Sequence, residues 1–406
     1  METALLADKM NIAVICAPQT FGCNTGMYSV DLAAWYFFHR HFSHARVRFF
    51  TLYSSPGHFG NTPFAYEGRQ AFAAWESKCD LILYWGDFLH GRAYRQAMVK
   101  WLIQREPDLS REQASHLMRH FLYRLDAYDN KTPAVMLYGG TLLFNDWCDY
   151  SDTDYRHDLT SLLKRAKAVW MREPFSSAAI QYLTGNYQVM QGTDCALLLD
   201  RAALSLADED RTGPESTPRS GRIGVFLGRS HVAAAKVACL LEALMVASGA
   251  RPCWLNWGSQ PFFLDRQHEL LEFFPDMSSI PSVQEPVRAL SALPVFDFIV
   301  SDTYHVCVNA WNFGIPAVCL LDDVNNSLAV NDGGLATRDK RLIFYGHYNL
   351  EPFVVRASEI RDAVACQHTV QKLMVQLSDK DSLQRVQDVL RSHASACEDR
   401  LIEEMS

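Results

Sequence analysis

The sequence lacks an excess of basic charge. Its 38 lysine and arginine residues are outnumbered by 46 acidic residues, so the formal net charge is −8 at pH 7 and the pI is near 6.0. Nucleic acids and anionic membrane surfaces are bound by concentrated basic faces, so the composition argues against both kinds of partner. An anionic substrate would have to be held by a few local cations.

Paired cysteines and long apolar segments are also missing. The 11 cysteines form no CxxC pair, and the N-terminal METALLADKMN has no charged start followed by an apolar signal core. The longest apolar runs, such as residues 30–38 and 232–246, are too short or too interrupted to form a membrane span. These absences predict reduced thiols, a cytoplasmic location and no membrane span.

Motifs for common cofactors are absent as well. There is no Walker loop and no GxGxxG segment, so NTP hydrolysis and NAD chemistry are disfavoured. His116 and His120 have the i, i+4 spacing of zinc ligands but lack the glutamate of a zinc protease motif. His39, His41 and His44 lie at a predicted helix end, where imidazoles bond free carbonyls. The sequence therefore predicts neither a metal nor an organic cofactor.

The chain does contain a repeated alternation of apolar strands and helical segments. With 406 residues, of which 49% are hydrophobic, it suits two domains. Near-continuous apolar runs are typical of parallel strands covered on both faces. They occur in NIAVICAPQ, VRFFTLYSS, DLILYWGD, PAVMLYGG and AVWMREP, and again in RIGVFLGRS, FDFIVSD and PAVCLLDD. The pattern predicts an α/β fold of two Rossmann-like domains. Separately, Ser110 followed by Gln113 predicts a capping box at the start of one helix.

Composition places the domain boundary near residue 200. Residues 201–221 collect Pro, Gly, Ser, Thr and charged side chains, as an exposed linker does. We expect an N-terminal Rossmann-like domain at residues 1–200 on the acceptor side and a C-terminal one at 222–380 on the donor side. A C-terminal helix is expected at 381–406.

Ligands of open parallel sheets bind outside the C-terminal ends of strands, and this rule selects the candidate residues. The loop at residues 21–27 carries Asn24 and Gly26 next to a helix start. Such a loop can offer backbone N–H groups to an anion or a sugar, although a plain turn also explains its glycines. Gly86 and Asp87 follow a later strand. Asp87 is a candidate general base or acceptor ligand, with helix capping as the alternative.

Two arginines are candidate anion ligands. Arg172 ends the strand AVWM and precedes Ser176 at a helix start. Its guanidinium can bind carboxylate or phosphate oxygens through two hydrogen bonds, with a structural salt bridge as the alternative. Arg229 and Ser230 follow the strand RIGVFL at the start of a long helix, where a hydroxyl and backbone amides favour an anion.

The densest polar cluster follows the strand FDFIV. Ser301, Asp302, Thr303, Tyr304 and His305 place a carboxylate, hydroxyls and an imidazole at one strand end. A single histidine at a helix start is most often structural, but five polar residues together at the expected cleft favour function. His305 and Asp302 are therefore catalytic candidates. Ser301, Thr303 and Tyr304 are candidate substrate contacts.

The order of these motifs resembles the polysaccharide pyruvyl transferase family. The family's opening loop, of the type FGxxNxG, is similar to residues 21–26. Its middle signature, an arginine, an acidic residue and a following serine, resembles residues 172–176, with a strand and aspartate element at 192–194. Its late signature, a polar run ending in histidine before AxxxGxP, resembles residues 301–305 and 310–316.

The resemblance spans roughly residues 11–326 and implies two Rossmann-like domains facing across a cleft, similar to GT-B glycosyltransferases. It implies transfer of a pyruvyl group from phosphoenolpyruvate to a sugar hydroxyl of a glycan or glycan precursor, without a cofactor. Forming a pyruvyl ketal requires an acid, a base for the hydroxyl and cations for the donor's carboxylate and phosphate.

The resemblance also implies roles for single residues. His305 fits the acid or a phosphate ligand, and Arg172 and Arg229 would hold the donor oxyanions. Asp87 or Asp302 would lie nearest the acceptor hydroxyl.

One position departs from the family pattern. The family commonly carries an arginine two residues before the late histidine, where this sequence has Thr303. Loss of a charge-assisted contact weakens donor binding unless Arg229 or another cation compensates. A changed donor is one alternative, and a GT-B glycosyltransferase using a nucleotide sugar is another. A binding protein that kept the fold without catalysis is the third.

Overall fold

The computed structural model describes most of the chain. The described residues are 10–17, 24–54, 64–86, 89–124, 133–143, 145, 148–185, 189–207, 221–229, 231–258, 260–280, 285–323 and 339–406. They form two β-sheets, one in each half of the chain.

The first half carries a seven-stranded sheet. Its strands are β1 (Asn11–Ile15), β2 (Arg46–Phe50), β3 (Tyr66–Glu67), β4 (Leu81–Trp85), β5 (Ala134–Gly140), β6 (Ala168–Met171) and β7 (Met190–Gln191). They lie in the order β3-β2-β1-β4-β5-β6-β7, and all neighbours are parallel. Ile12 and Val14 of β1 enter one hydrophobic cluster while Ala13 and Ile15 enter another, so both faces of the sheet are buried. Burial on both faces explains the near-continuous apolar runs.

The second half carries a six-stranded sheet, also parallel throughout. Its strands are β8 (Arg222–Phe226), β9 (Arg251–Leu255), β10 (Ser278–Ile280), β11 (Phe298–Ser301), β12 (Ala317–Leu321) and β13 (Val354–Arg356). They lie in the order β10-β9-β8-β11-β12-β13. In each sheet the first strand along the chain is an inner strand. The strand order reverses beside it, between β1 and β4 in one sheet and between β8 and β11 in the other. The predicted α/β fold with two Rossmann-like domains is confirmed.

Helices connect the strands in both halves. The first half has α1 (Thr25–His41), α2 (Arg69–Glu76), α3 (Arg92–Arg105), α4 (Arg111–Tyr123), α5 (Thr153–Arg165), α6 (Pro174–Thr184) and α7 (Arg201–Ala207). The second has α8 (Ala234–Ser248), α9 (Pro261–Leu271), α10 (Pro286–Ala292), α11 (Tyr304–Asn312), α12 (Lys340–His347), α13 (Ala363–Ser378) and α14 (Lys380–Met405). The predicted capping box at Ser110 and Gln113 is confirmed at the start of α4. Among the described helices, none combines the length and apolar character that a membrane span requires.

The two halves are packed against each other. One hydrophobic cluster runs without interruption through residues of both sheets. The C-terminal helix α14 returns to the first half, where Glu398 Oε1 lies 2.8 Å from His41 Nε2 and Lys167 donates to the carbonyl of Glu404. Residues 201–207 of the predicted linker form α7, and 208–220 lie outside the described residues. The domain boundaries stay a prediction.

Candidate active site

A cleft lies between the two halves. The first half contributes Leu143, Arg172, Glu173, Pro174, Gln191 and Asp194, which follow the C-terminal ends of β5, β6 and β7. The second half contributes Tyr304 from the start of α11 and Lys340, Ile343, Phe344, His347 and Tyr348 from α12 and the residue after it. Because C-terminal strand ends and helix starts are the usual binding edge of parallel sheets, this cleft is the candidate active site.

A buried ion pair forms the floor of the cleft. Arg172 follows β6, and its Nη1 lies 3.1 Å from Oδ2 of Asp194; both residues are buried. Burial alone would raise the pKa of Asp194, but the neighbouring His305 and then the Arg172 charge outweigh it and hold that pKa well below its usual range. Asp194 therefore stays ionised and keeps a negative charge beside His305. Asp194 belongs to a motif segment of the sequence, but no pattern identified it as a site residue.

His305 lies in the first turn of α11 and is 8% exposed. Its Nε2 is 3.7 Å from Asp194 Oδ2, and this nitrogen makes no hydrogen bond within the described part of the chain. Burial lowers the pKa of His305 from 6.5, and the Asp194 carboxylate opposes the shift in part. The site thus holds a mainly neutral imidazole with an unused nitrogen at neutral pH.

Gly26 places α1 against this imidazole. A Cβ atom at Gly26 would lie 2.6 Å from His305 Cβ and 2.8 Å from its Nδ1, closer than any side chain tolerates. Only glycine permits this approach between the halves. Asn24 caps α1 through its side chain at 3.4 Å from Met27 N, and its backbone bridges to Gly258 of the second half. Residues 21–23 of the predicted loop lie outside the described residues.

Tyr304 contacts two cations. Arg172 Cζ lies 5.1 Å and Lys340 Nζ 4.7 Å from the centroid of its ring. Tyr304 is buried, and burial raises the pKa of its phenol well above 10. Lys340 is a site residue that the sequence reasoning missed. It lies 36 positions after Tyr304, so no local motif connects the two.

Ser176 shapes the edge of the cleft through bonds within the protein. Glu173 caps α6, accepting from Ser176 N at 2.9 Å and from Thr141 Oγ1 at 2.9 Å. The Ser176 hydroxyl donates to Glu173 and accepts from Leu142 N at 2.7 Å. These bonds hold the segment after β5 against the start of α6.

Asp302 is buried at the end of β11 and holds the segment after β8. Its carboxylate accepts from Gly228 N at 3.0 Å, Arg229 N at 2.9 Å and Thr303 Oγ1 at 3.0 Å. Ser301 Oγ donates to the Phe226 carbonyl at 2.7 Å, which joins the same two strand ends. The Arg229 side chain is exposed and does not line the cleft.

The remaining predicted residues lie elsewhere. Gly86 ends β4 with a φ of +71°, and a Cβ there would lie 2.8 Å from Val30 Cγ1. This glycine serves the turn and the packing of α1. Asp87 and Ser230 lie outside the described residues. The structure therefore brings together Arg172, Tyr304 and His305 of the predicted set, with Gly26 packed behind the imidazole.

Several solved structures share the overall fold at low sequence identity. UDP-GlcNAc 2-epimerase from Neisseria meningitidis, bound to UDP-GlcNAc, matches with a TM-score of 0.55 and 10% identity, over 98% of this chain and 99% of that one. A putative UDP-N-acetylglucosamine 2-epimerase from Listeria monocytogenes matches with a TM-score of 0.56 and 9% identity, over 97% and 95% of the two chains. The predicted similarity to GT-B architecture, two domains facing across a cleft, is confirmed.

Sequence comparison identifies the family. No curated protein matches the chain significantly. The profile of the family described as polysaccharide pyruvyl transferase matches residues 32–323, which include β2 to β12 and the cleft residues Arg172, Asp194, Tyr304 and His305. That segment is most of the chain. The protein is a transferase and belongs to the polysaccharide pyruvyl transferase family.

Proposed function

We propose that the protein transfers a pyruvyl group from phosphoenolpyruvate to two hydroxyls of a sugar unit in a glycan or glycan precursor in the cytoplasm. The observation that carries the proposal is the cleft itself, in which Arg172, Asp194 and His305 meet between the two halves. Family membership supports the same reaction class. A cation, a permanently ionised carboxylate and a titratable imidazole are the groups that ketal formation from an anionic donor requires.

The proposed reaction conserves atoms and charge. A proton is added to the methylene carbon of phosphoenolpyruvate, and one sugar hydroxyl attacks the adjacent carbon. The bond from that carbon to the phosphate oxygen then breaks, and a second hydroxyl closes the ketal. The two hydroxyls release two protons. One of them replaces the proton that was added to the methylene carbon, and the other is taken up by the released phosphate.

His305 is proposed as the acid for the methylene carbon. Burial lowers its pKa, so the imidazole is mainly neutral before the donor binds. A donor with three negative charges would raise that pKa, and the imidazole would then be protonated. Asp194, 3.7 Å away, would stabilise the imidazolium and orient it.

Arg172 is proposed as a ligand of the donor's carboxylate or phosphate, because it lines the cleft and can bind oxyanions with two N–H groups. Arg229 and Ser230 remain proposed donor contacts on the segment after β8. Ser301, Thr303 and Tyr304 are proposed to shape the donor side.

On the acceptor side we propose Asp87 as the base or ligand of the attacking hydroxyl, with Asn24, Gly86 and Ser176 shaping the surrounding surface. Asp302 is the second residue that the sequence suggests as a base for the acceptor hydroxyl. Because its carboxylate already accepts from three donors, we propose that it positions the segment after β8.

A nucleotide-sugar donor is the alternative, since the matched epimerase from Neisseria meningitidis was solved with UDP-GlcNAc. Backbone amides after the first strand of a Rossmann half commonly receive a phosphate. Here the amides of Gly228 and Arg229 donate to Asp302 instead. A nucleotide phosphate would therefore have to displace the Asp302 carboxylate to use these amides.

The test is a mass-spectrometric assay with phosphoenolpyruvate and a panel of sugar acceptors, run in parallel with nucleotide sugars. We expect release of phosphate together with acceptor mass gained as one pyruvyl ketal, and loss of about 100-fold or more in rate for His305→Ala. Glycosyl transfer without pyruvyl transfer would reject the proposal. Full turnover by His305→Ala would remove His305 from the reaction.

A further inference from the structure

Charge in the cleft is divided between the two halves. Arg172 comes from the first half, and its charge is balanced by Asp194 at 3.1 Å. Lys340 comes from the second half and is not part of that pair. Its Nζ lies 4.7 Å from the centroid of Tyr304, the same ring that Arg172 contacts at 5.1 Å. The cleft therefore presents two cations at one buried aromatic ring.

The start of α12 is anchored so that Lys340 faces the cleft. Asp339 caps this helix and accepts from Arg341 N at 2.8 Å. Arg341 is buried, and its Nη1 donates to the Asp302 carbonyl at 2.7 Å. The residues on either side of Lys340 are thus tied to the strand end that leads into Tyr304 and His305. A lysine on such an anchored segment needs little ordering to meet a ligand.

Position 303 supplies no positive charge. The Thr303 hydroxyl donates to Asp302 Oδ1 at 3.0 Å, and its backbone N–H donates to Ser301 Oγ at 3.1 Å. A trianionic donor needs more positive charge than an arginine already paired with a carboxylate provides. Lys340, whose charge also helps to lower the pKa of Asp339, adds a second positive charge to the cleft from another element of the fold.

We propose that Lys340 is a donor-binding and specificity-determining residue, which with Arg172 holds the oxyanions of phosphoenolpyruvate across the Tyr304 ring. The inference rests on the proposed function, because it names a ligand of the donor in the same cleft. The pKa of His305 supports the geometry: burial is the main cause of its lowering, and the charges of Lys340 and Arg172 add to it. Both cations therefore lie within electrostatic reach of the proposed acid.

The test is calorimetric titration of the full chain with phosphoenolpyruvate and, separately, with inorganic phosphate. The variants are Lys340→Gln and Lys340→Arg, and the matched control is Lys372→Gln, which removes an exposed lysine from α13. We expect Lys340→Gln to weaken phosphoenolpyruvate binding by about tenfold to 100-fold, as for other charge-assisted contacts. Lys340→Arg should retain most of the affinity and Lys372→Gln all of it. Thermal unfolding of each variant confirms that the fold is intact.

The outcomes separate this inference from the proposed function. Equal phosphoenolpyruvate affinity in the wild type and Lys340→Gln overturns the role of Lys340 and leaves the proposed function standing. Binding of inorganic phosphate but not of phosphoenolpyruvate, with phosphate binding weakened in Lys340→Gln, keeps Lys340 as an anion ligand and rejects the pyruvyl donor. Binding of neither probe overturns both.

Discussion

At the scale of single residues, the site depends on an imidazole that burial keeps neutral. His305 is covered by the first turn of α1, where Gly26 allows backbone to approach the ring. Asp194 lies 3.7 Å from the ring, and the neighbouring His305 and the Arg172 charge hold its pKa well below the usual range. A histidine with one nearby carboxylate and an unused nitrogen can gain a proton when an anion enters.

Substituting Gly26 tests the contact between α1 and the imidazole. In Gly26→Ala the new Cβ would lie 2.6 Å from His305 Cβ, so one of the two elements must shift. We expect the free energy of unfolding to fall by about 1–3 kcal/mol and turnover to fall with it. Chemical denaturation and the pyruvyl transfer assay measure both effects. Gly346→Ala is the control, since a Cβ at this helical position meets only Glu351 Oε1 at 3.6 Å, and it should lower neither quantity. Wild-type behaviour of Gly26→Ala would contradict the close approach.

Donor binding should take up a proton. Burial lowers the pKa of His305 from 6.5, and an anionic donor should raise it. Between these two pKa values the complex binds more protons than the free protein, so phosphoenolpyruvate affinity should increase as the pH falls. Calorimetry in buffers of different ionisation enthalpy measures the uptake. In His305→Gln, proton uptake by the donor itself should remain, while the uptake by the imidazole should be lost. Equal proton uptake by the wild type and His305→Gln would contradict the assignment.

At the scale of elements, the site is formed by residues at helix starts and strand ends. β6 delivers Arg172, β11 leads into Tyr304 and His305, and α12 brings Lys340. These elements are held by polar side chains that satisfy backbone groups, as Asp302 does for Gly228 and Arg229. The site is therefore built on anchored segments.

Arg341 tests the anchoring of α12. Arg341→Gln removes the bond to the Asp302 carbonyl at 2.7 Å and the ion pair with Asp339, which leaves buried polar groups unsatisfied. We expect a loss of about 2–3 kcal/mol in the free energy of unfolding and weaker phosphoenolpyruvate binding, because Lys340 loses its fixed position. Denaturant unfolding and calorimetry measure the two effects. Arg385→Gln, on the exposed side of α14, should leave both unchanged. Unaltered donor affinity in Arg341→Gln would contradict the anchoring role.

At the scale of the whole molecule, the two halves share one hydrophobic cluster, and α14 crosses back to the first half. A common core makes each half depend on the other for burial.

Leu401 on α14 tests this dependence. It is fully buried, so Leu401→Ala should lower the free energy of unfolding by about 2–5 kcal/mol. Because the core is continuous, we expect both halves to melt together in one transition at a lower temperature. Calorimetry and hydrogen exchange measured across both sheets check this. Val389→Ala, at a position 49% exposed, is the control and should have a small effect. Separate melting of the two halves would contradict a shared core.

Much of the architecture was predictable because it depends on residues that are close together in the sequence. Burial on both faces imposes continuous apolar runs, so β1, β2, β4, β5 and β6 and later β8, β11 and β12 were all identified. The strands β3, β7, β10 and β13 were not, since two or three residues carry no detectable pattern, and β9 was missed as well, because Arg251 and Pro252 interrupt its apolar run. The α4 cap was predictable because it involves residues three positions apart.

The sequence by itself determined the alternation of strands and helices, the family, and the presence of Arg172 and of the segment 301–305 at strand ends. Tertiary structure alone decided which of these side chains meet. Gly26 reaches His305 across 279 positions, and Lys340 joins Arg172 at the ring of Tyr304. The hydrogen bonds from the segment after β8 to the Asp302 carboxylate also follow from packing. Such contacts depend on how the two sheets are placed against each other, and no periodicity or local spacing encodes that placement.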